Sequence, residues 1–128
     1  MKPEKFKKIC KKYFTDPAFT IEDITNVDDK SRTISIFFNM FGVLRYDCNI
    51  EKPCLLTPDK FRYNEECGNI LPCRNDGSFV VIWSEYTKLY NVGHNNLIKI
   101  ILKLIEKIKI ANVEHKKQLI EKDFENKG

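Results

Sequence analysis

The sequence predicts an α+β fold, with an N-terminal helix, a mostly antiparallel sheet of about five to seven strands, and a long C-terminal helix. Three observations support this prediction: an amphipathic segment near the N terminus, short alternating runs in the middle, and a long apolar stripe near the C terminus. We expect both helices to pack on one face of the sheet, because helices laid side by side bury its apolar face.

The first helix is predicted from a proline at its start and from apolar residues at helical spacing. Pro3 suits the first turn of a helix, where its missing N–H group costs nothing. Four apolar residues then recur at i, i+3, i+4 and i+7 and share one helical face: Phe6, Ile9, Cys10 and Tyr13. We expect this helix to end before Pro17, because proline disfavours helical geometry in the residue that precedes it.

The middle of the chain alternates in the manner of strands. Strands are predicted at residues 19–24, 32–38, 43–50, 54–56, 69–73 and 78–83. Two tight connections are predicted, at residues 39–42 and at residues 74–77, where Asp76-Gly77 supplies the positive φ values of a hairpin turn. The polar second face of the alternating runs predicts a sheet that is covered on one side and wet on the other.

Three further segments of the middle region differ in how clearly they can be interpreted. Residues 78–83 have the strongest strand propensity in the chain, and we expect them to form a central strand. Residues 59–66 fit either a helical turn or a loop. Residues 85–90 fit either an edge strand or a simple connection.

The C-terminal helix is the clearest element of the sequence. Asn95 or Asn96 can cap its start. A wide apolar stripe then follows at helical period: Leu97, Ile98, Ile101, Leu102, Leu104, Ile105 and Ile108. Residues 113–128 are mostly polar and fit a helical extension or a frayed tail. With no internal repeat or linker, residues 1–128 are predicted to form a single α+β domain.

Composition predicts a cytoplasmic protein. Apolar residues make up 42% of the chain and charged residues 31%, and no apolar run approaches the ~20 residues that span a bilayer. No secretory signal is apparent near the N terminus. The cysteine count is five, and an odd number argues against a disulfide framework. We therefore expect no membrane association and most thiols to act as small buried hydrophobes.

Four of the cysteines are spaced symmetrically, as C-x5-C-x12-C-x5-C: Cys48, Cys54, Cys67 and Cys73. Four thiolates can form a tetrahedral zinc site, but structural zinc sites usually take ligand pairs about two to four residues apart. The spacing therefore favours ordinary core thiols, and we predict neither a metal nor a cofactor.

The sequence contains no recognisable catalytic constellation. Its only histidines are His94, which precedes the long helix, and His115, which lies in the polar extension. No nucleophile elbow, phosphate-binding loop, dinucleotide fingerprint or zinc-protease motif occurs. We therefore predict no enzymatic activity and no catalytic residues; a small hydrolase or nuclease with an unrecognised site is a weaker alternative.

Charge is distributed unevenly along the chain. Residues 1–13 hold six lysines and one glutamate, residues 14–98 carry an excess of four acids, and residues 99–128 carry an excess of three basic residues. The lysines of the two helices could contact phosphates, so a nucleic-acid-binding module is one alternative function. However, arginine, the usual reader of bases, is absent from both helices.

The acidic middle region is the preferred candidate for a partner-binding surface, because its strands and loops also carry tyrosine and tryptophan. Aromatic residues are favoured at protein interfaces, and acidic groups steer basic partners. The predicted partner-binding residues are Asp47, Glu51, Asp59, Tyr63, Glu65, Glu66, Asp76, Glu85 and Tyr86. We therefore predict a non-enzymatic protein-binding domain, of the inhibitor or immunity/antitoxin type, whose partner is a basic toxin or enzyme.

Overall fold

A computed structural model describes residues 1–28, 31–49 and 51–127 of the chain. These residues form two helices, α1 (Pro3–Tyr13) and α2 (His94–Lys127), and a short 3-10 helix, Trp83–Glu85. The strands are β1 (Phe19–Thr25), β2 (Arg32–Phe38), β3 (Phe41–Asp47), β4 (Cys54–Thr57), β5 (Lys60–Asn64), β6 (Asn69–Cys73) and β7 (Thr87–Tyr90). The order of helix, strands and helix confirms the predicted α+β fold. Positions 29, 30, 50 and 128 lie outside the described residues, so the end of the predicted strand 43–50 falls there in part.

Five strands form one antiparallel sheet in the order β1-β2-β3-β4-β7. The strands β5 and β6 pair with each other in a separate two-stranded sheet. The segment 85–90, which fitted either an edge strand or a connection, thus contributes β7 at one edge of the larger sheet. Neither helix in the described part of the chain has a stretch long and apolar enough to cross a lipid bilayer.

The β2–β3 hairpin turns through only two residues, within the connection that the sequence predicts. Asn39 and Met40 both have positive φ, 48° and 75°, as a type I′ turn requires. The register shifts inside the hairpin, because Ile36 pairs with Leu44 and Phe37 pairs with Gly42. Val43 is therefore an extra residue on β3, and the bulge directs Gly42 towards the face of the sheet that lies away from the helices.

Both helices cover the same face of the five-stranded sheet, as predicted. Phe6, on α1, is fully buried and stacks on Tyr46 of β3 with ring centroids 4.9 Å apart. Leu97 and Ile101, near the start of α2, are fully buried in the same core. This shared core also contains apolar side chains of β2, β3 and β4: Ile34, Ile36, Phe38, Leu44 and Leu55.

The opposite face of the sheet is partly covered and not fully exposed to solvent, which corrects the sequence-based expectation. A small second core forms there from Cys54, Leu56, Val80 and Tyr86, with Trp83 packed against it. The chain between β6 and β7 crosses this face and supplies three of these side chains. The sheet is thus covered by helices on one face and by an irregular segment on the other.

The prediction of a central strand at residues 78–83 is wrong. The turn at 74–77 forms, and Gly77 has a positive φ of 89°, but only one isolated bridge, Cys73 to Phe79, follows it. The N–H of Val80 donates to the carbonyl of Pro72. Pro72 has no N–H to return a bond, so the ladder cannot continue along β6. Val81 and Ile82 remain exposed.

Residues 59–66, which fitted a helical turn or a loop, contain strand β5 instead. Phe61 on β5 and Ile70 on β6 are both buried in the main core, so one face of the hairpin packs against that core. The turn between the strands is closed by Asn64, whose side-chain oxygen accepts a hydrogen bond from Cys67 N–H, and Gly68 adopts a positive φ of 70°. The burial of Phe61 and Ile70, together with this turn, stabilises a strand in a segment whose composition is otherwise polar.

An ion-pair network joins α1 to strands β1 and β2. Asp23 accepts hydrogen bonds from both Nε and Nη2 of Arg32, at 2.9 and 2.6 Å, and from Lys7 Nζ at 3.1 Å. A second carboxylate, Glu4, accepts from the same Arg32 Nη2. Hydrogen bonding to Arg32 lowers the pKa of Asp23 from 3.8 to about 2.

This network predicts a loss of stability in acid. The folded-state pKa of Asp23 lies below its ordinary value, so its contribution is complete above about pH 4 and is lost as the pH falls through 2. Asp23→Asn is expected to lower the free energy of unfolding on the order of 1–2 kcal/mol at pH 7 and by much less near pH 2. Urea unfolding at several pH values measures this difference. An equal effect of the substitution at pH 7 and pH 2 would contradict the assignment.

Candidate binding groove

A groove lies between the β5–β6 hairpin and the part of α2 that follows the main core. The last fully packed residue of α2 is Ala111, and residues 116–125 are all exposed. The hairpin runs beside this outgoing helix and leaves a cleft of about 490 Å³. It is lined by Arg62, Tyr63, Asn64, Glu65, Glu66, Phe79, Ala111, Glu114, His115 and Gln118. We call this cleft the acidic groove.

An aromatic pair is part of the lining of the acidic groove. Tyr63 on β5 and His115 on α2 stack nearly parallel, with ring centroids 3.5 Å apart and an interplanar angle of 13°. Both side chains are partly buried. The two rings therefore connect the hairpin to α2 and present apolar and π surface to any group that enters the cleft.

Three carboxylates line the same cleft as the aromatic pair. Glu65 and Glu66 come from the turn after β5, and Glu114 comes from α2; all three are exposed. Glu65 has a long ion pair with Lys122, at 3.5 Å, in which both side chains remain mostly exposed. An exposed pair at this distance contributes little stability, so the glutamate remains available to another cation.

The one cation among the residues lining the acidic groove is already committed to other contacts. Arg62 donates a hydrogen bond from Nη1 to the carbonyl of Gly77, at 2.9 Å. Its guanidinium also lies over the ring of Phe79, 4.8 Å from the ring centroid. Arg62 thus braces the 74–77 turn, and the lining of the groove carries an excess of negative charge.

The structure brings three of the nine predicted partner-binding residues into this groove: Tyr63, Glu65 and Glu66. The other six lie elsewhere. Asp59 accepts hydrogen bonds from Thr87 Oγ1 and from the N–H of Asn75. These contacts occupy its carboxylate.

Two more of the predicted acids are engaged in local contacts. Asp76 accepts hydrogen bonds from the N–H and the hydroxyl of Ser78, which lower its pKa. Glu85 accepts a hydrogen bond from Arg74 at 2.7 Å. Both acids therefore help to shape the turn at 74–77 and the segment that crosses the sheet.

The remaining three predicted residues lie apart from the groove and differ in exposure. Asp47 ends β3 and is partly buried, whereas Glu51 is exposed in the connection to β4. Tyr86 is only 7% exposed, and its hydroxyl donates to the carbonyl of Gly42. Burial raises the pKa of Tyr86, so this side chain serves the second core.

Sequence reasoning did not select His115 and Glu114 as binding residues. A signal for His115 is present, because it continues the buried helical stripe of α2 through Ile108 and Ala111, at spacings of three and four residues. A polar aromatic residue at the end of such a stripe indicates a contact with another element. The partner, Tyr63, lies more than fifty residues away in sequence, so only the tertiary structure identifies the pair.

The cysteines of the symmetric spacing differ in their surroundings. Cys54 and Cys73 are buried, Cys48 is partly buried and Cys67 is exposed. Burial raises the pKa of Cys48 to about 12, which opposes the thiolate that a metal requires. Across residues 1–28, 31–49 and 51–127, no three His, Cys, Asp or Glu side chains are grouped so that they could hold a metal ion.

The acidic groove can bind a cation that has a flat apolar surface, because it offers stacked rings and several carboxylates in one place. Comparison of the chain with protein-family models, with curated proteins and with solved structures gives no match.

Proposed function

We propose that this protein is a non-catalytic protein-binding domain whose acidic groove receives a basic segment of a partner protein. The observation that carries the proposal is the convergence of the Tyr63–His115 stack with Glu65, Glu66 and Glu114 in one cleft. Aromatic rings give contact area and the carboxylates give charge selectivity, which together are features of protein-recognition surfaces.

An arginine side chain of the partner fits this arrangement best. A guanidinium is planar, stacks on aromatic rings and donates up to five hydrogen bonds. It can lie against the Tyr63 ring while its N–H groups donate to Glu65 or Glu66. A lysine matches the charge but not the flat surface, so we expect arginine to bind more tightly at this position.

A domain of this kind suits inhibition of a basic enzyme or toxin. Acidic groups on the inhibitor accelerate encounter with a basic active-site surface and exclude partners of like charge. The inhibitor or immunity/antitoxin role predicted from the sequence thus remains our preferred biological setting. The surface that we assign to it is narrower than the nine predicted residues and consists of the acidic groove.

The proposal predicts selective binding of arginine-containing peptides. We suggest titrating ¹⁵N-labelled protein with an eight-residue peptide that contains two arginines, and with matched peptides that carry lysine or glutamate instead. The arginine peptide should shift the amide signals of residues 62–66 and 114–118, and the glutamate peptide should not. Glu66→Lys should weaken binding about tenfold, because it replaces an attraction with a repulsion at short range.

Glu51→Lys is the matched control, because it makes the same change at an exposed acid outside the groove. This variant should bind the arginine peptide nearly as well as the original protein. Equal losses from Glu51→Lys and Glu66→Lys would mean that only overall charge matters. Absence of any arginine-dependent shift around the groove would refute the proposal.

A nucleic-acid-binding module is the second candidate function, because both helices expose lysines on the layer that covers the sheet. The exposed lysines include Lys5, Lys8, Lys11 and Lys12 on α1, and Lys99, Lys103 and Lys109 on α2. Binding of generic duplex DNA or RNA that weakens steeply with added salt would support this alternative. The double variant Lys8→Glu/Lys12→Glu would abolish such binding but leave peptide binding in the acidic groove intact.

A further inference from the structure

The outward surface of α2 carries an apolar stripe that nothing in the described structure covers. The stripe consists of Ile110, Val113, Lys117, Ile120 and Phe124, and we call it the outer seam. Its four apolar members are 49%, 51%, 57% and 74% exposed, in that order. A single exposed apolar residue is ordinary, but four along one line of a helix indicate a contact surface.

The outer seam lies on the side of α2 opposite the side that packs on the domain. Residues in an α-helix advance by about 100° each, which places the outer seam roughly 180° from Ala111, His115 and Lys122. Those three residues face the β5–β6 hairpin. The outer seam is therefore directed away from the hairpin, which leaves it accessible to a second helix.

Spacing along the outer seam follows a heptad. Its members are separated by three, four, three and four residues, which corresponds to a and d positions of a two-stranded coiled coil. We propose that the outer seam pairs two copies of this chain through a parallel coiled coil of their α2 helices. The two domains then lie on opposite sides of a two-fold axis that runs along the helices.

Charges beside the outer seam complement one another in the parallel arrangement. Lys109 and Lys116 occupy g positions, and Glu114 and Glu121 occupy the e positions five residues later. In a parallel pair, Lys109 of one copy faces Glu114 of the other, and Lys116 faces Glu121. Each contact occurs twice because of the symmetry, which gives four attractive pairs.

Antiparallel pairing matches these charges less well. When most of the outer seam is paired in antiparallel registers, Glu114 faces either Glu114 or Glu121 of the second copy, and these like charges disfavour the pairing. Asp123, at a g position, then faces Lys109 or Lys116, so the antiparallel registers mix attraction with repulsion. The parallel orientation brings only opposite charges together at the g and e positions of residues 109–121, and the charge pattern therefore favours a second copy in that orientation as the occupant of the outer seam.

Lys117 and the residues before the outer seam limit the strength of the pairing. Lys117 occupies a central a position, where a single lysine specifies two strands at a cost in stability. Its aliphatic stem packs against the seam while the ammonium group reaches water. The a and d positions that precede the outer seam hold charged residues: Lys99, Lys103 and Glu106. The paired region therefore begins at Ile110. We therefore expect a reversible dimer and not a permanent one.

Sedimentation velocity across a concentration range tests the proposal. Between about 10 µM and 1 mM, the original protein should shift from monomer towards dimer. Ile120→Asp should remain monomeric throughout this range, and Lys117→Leu should tighten the dimer at least about tenfold. Because both side chains are exposed, neither substitution should alter unfolding of the monomer at low concentration.

Val81→Asp is the matched control, because it introduces the same charge at an apolar side chain that is 79% exposed and lies outside α2. This variant should dimerise like the original protein. A protein that stays monomeric at every concentration, in both its original form and Lys117→Leu, overturns the proposal. A dimer that survives Ile120→Asp also overturns it, because the contact would then lie elsewhere.

Orientation is tested by disulfide formation at the outer seam. In a Cys67→Ser background, which removes the exposed thiol, Ile120→Cys places one sulfur from each copy at the axis of a parallel pair. Mild oxidation should then link the dimer covalently, with two thiols losing two electrons and two protons to the added oxidant, oxidised glutathione. Failure to link under conditions where the dimer is populated would contradict the parallel arrangement. Glu114 also lines the acidic groove, so neither test uses a substitution there.

Discussion

Replacement of Phe6 with alanine is expected to lower the free energy of unfolding by about 3–5 kcal/mol. The Phe6 side chain is fully buried and stacks on Tyr46 at 4.9 Å. It joins α1 to β3 within the main core, which also holds Ile9 and Cys10 of α1, and its removal is expected to leave a cavity between the two elements. A loss of this size is a large share of the ~5–15 kcal/mol that stabilises an ordinary domain. Urea unfolding followed by far-ultraviolet circular dichroism measures it.

The matched control for this prediction is Phe124→Ala, studied at low micromolar concentration. Phe124 is 74% exposed near the end of α2, so its removal should change the free energy of unfolding by no more than about 0.5 kcal/mol. Similar losses in the two variants would show that Phe6 does not occupy the core position that we describe. Both variants replace phenylalanine with alanine, so a difference between their free energies of unfolding reports the burial of the side chain and not its chemical type.

Gly42→Ala should have the second-largest effect. A Cβ atom at this position would lie 2.4 Å from Cζ2 and 2.6 Å from Cη2 of Trp83, which is too close for any real contact. The ring cannot retreat easily, because it packs against Tyr86 and lies under the Arg45 guanidinium, 4.7 Å from the ring centroid. We expect a loss of about 1–3 kcal/mol, the usual cost of overpacking.

Trp83 is the only tryptophan, so its fluorescence reports directly on this site. In Gly42→Ala the emission should shift to longer wavelength, because the ring is displaced towards water. Gly93→Ala is the matched control: an added Cβ there meets no atom within 4 Å. Its emission spectrum should match that of the original protein. An unchanged spectrum in Gly42→Ala would show that Trp83 does not cover Gly42 in solution.

The strands β1, β2 and β3 could be predicted from sequence because each obeys a local rule. Alternation in residues 32–38 and 43–47 follows from a sheet with distinct faces, and the two-residue turn at Asn39 and Met40 needs only local backbone geometry. The segment 78–83 shows the limit of such rules. Its propensity favours a strand, but a strand needs a neighbour that can return hydrogen bonds, and Pro72 cannot.

The candidate site was only partly predictable for a related reason. Acidic and aromatic residues at Tyr63, Glu65 and Glu66 were identifiable by type. The preference for these three residues over Asp59, Asp76 and Glu85 was not predictable, because it depends on which carboxylates already accept hydrogen bonds in the folded chain. Thr87 donates to Asp59 and Arg74 donates to Glu85 only after the chain has folded.

The sequence by itself determined the α+β class, the two helices, the first hairpin and the basic character of the helical layer. These features depend on periodicity and turn chemistry within a few residues. Only the tertiary structure decided that β5 forms, that residues 79–86 cover the second face of the sheet, and that His115 stacks on Tyr63. Each of these depends on contacts between residues far apart in the chain, whose free energy no local pattern records.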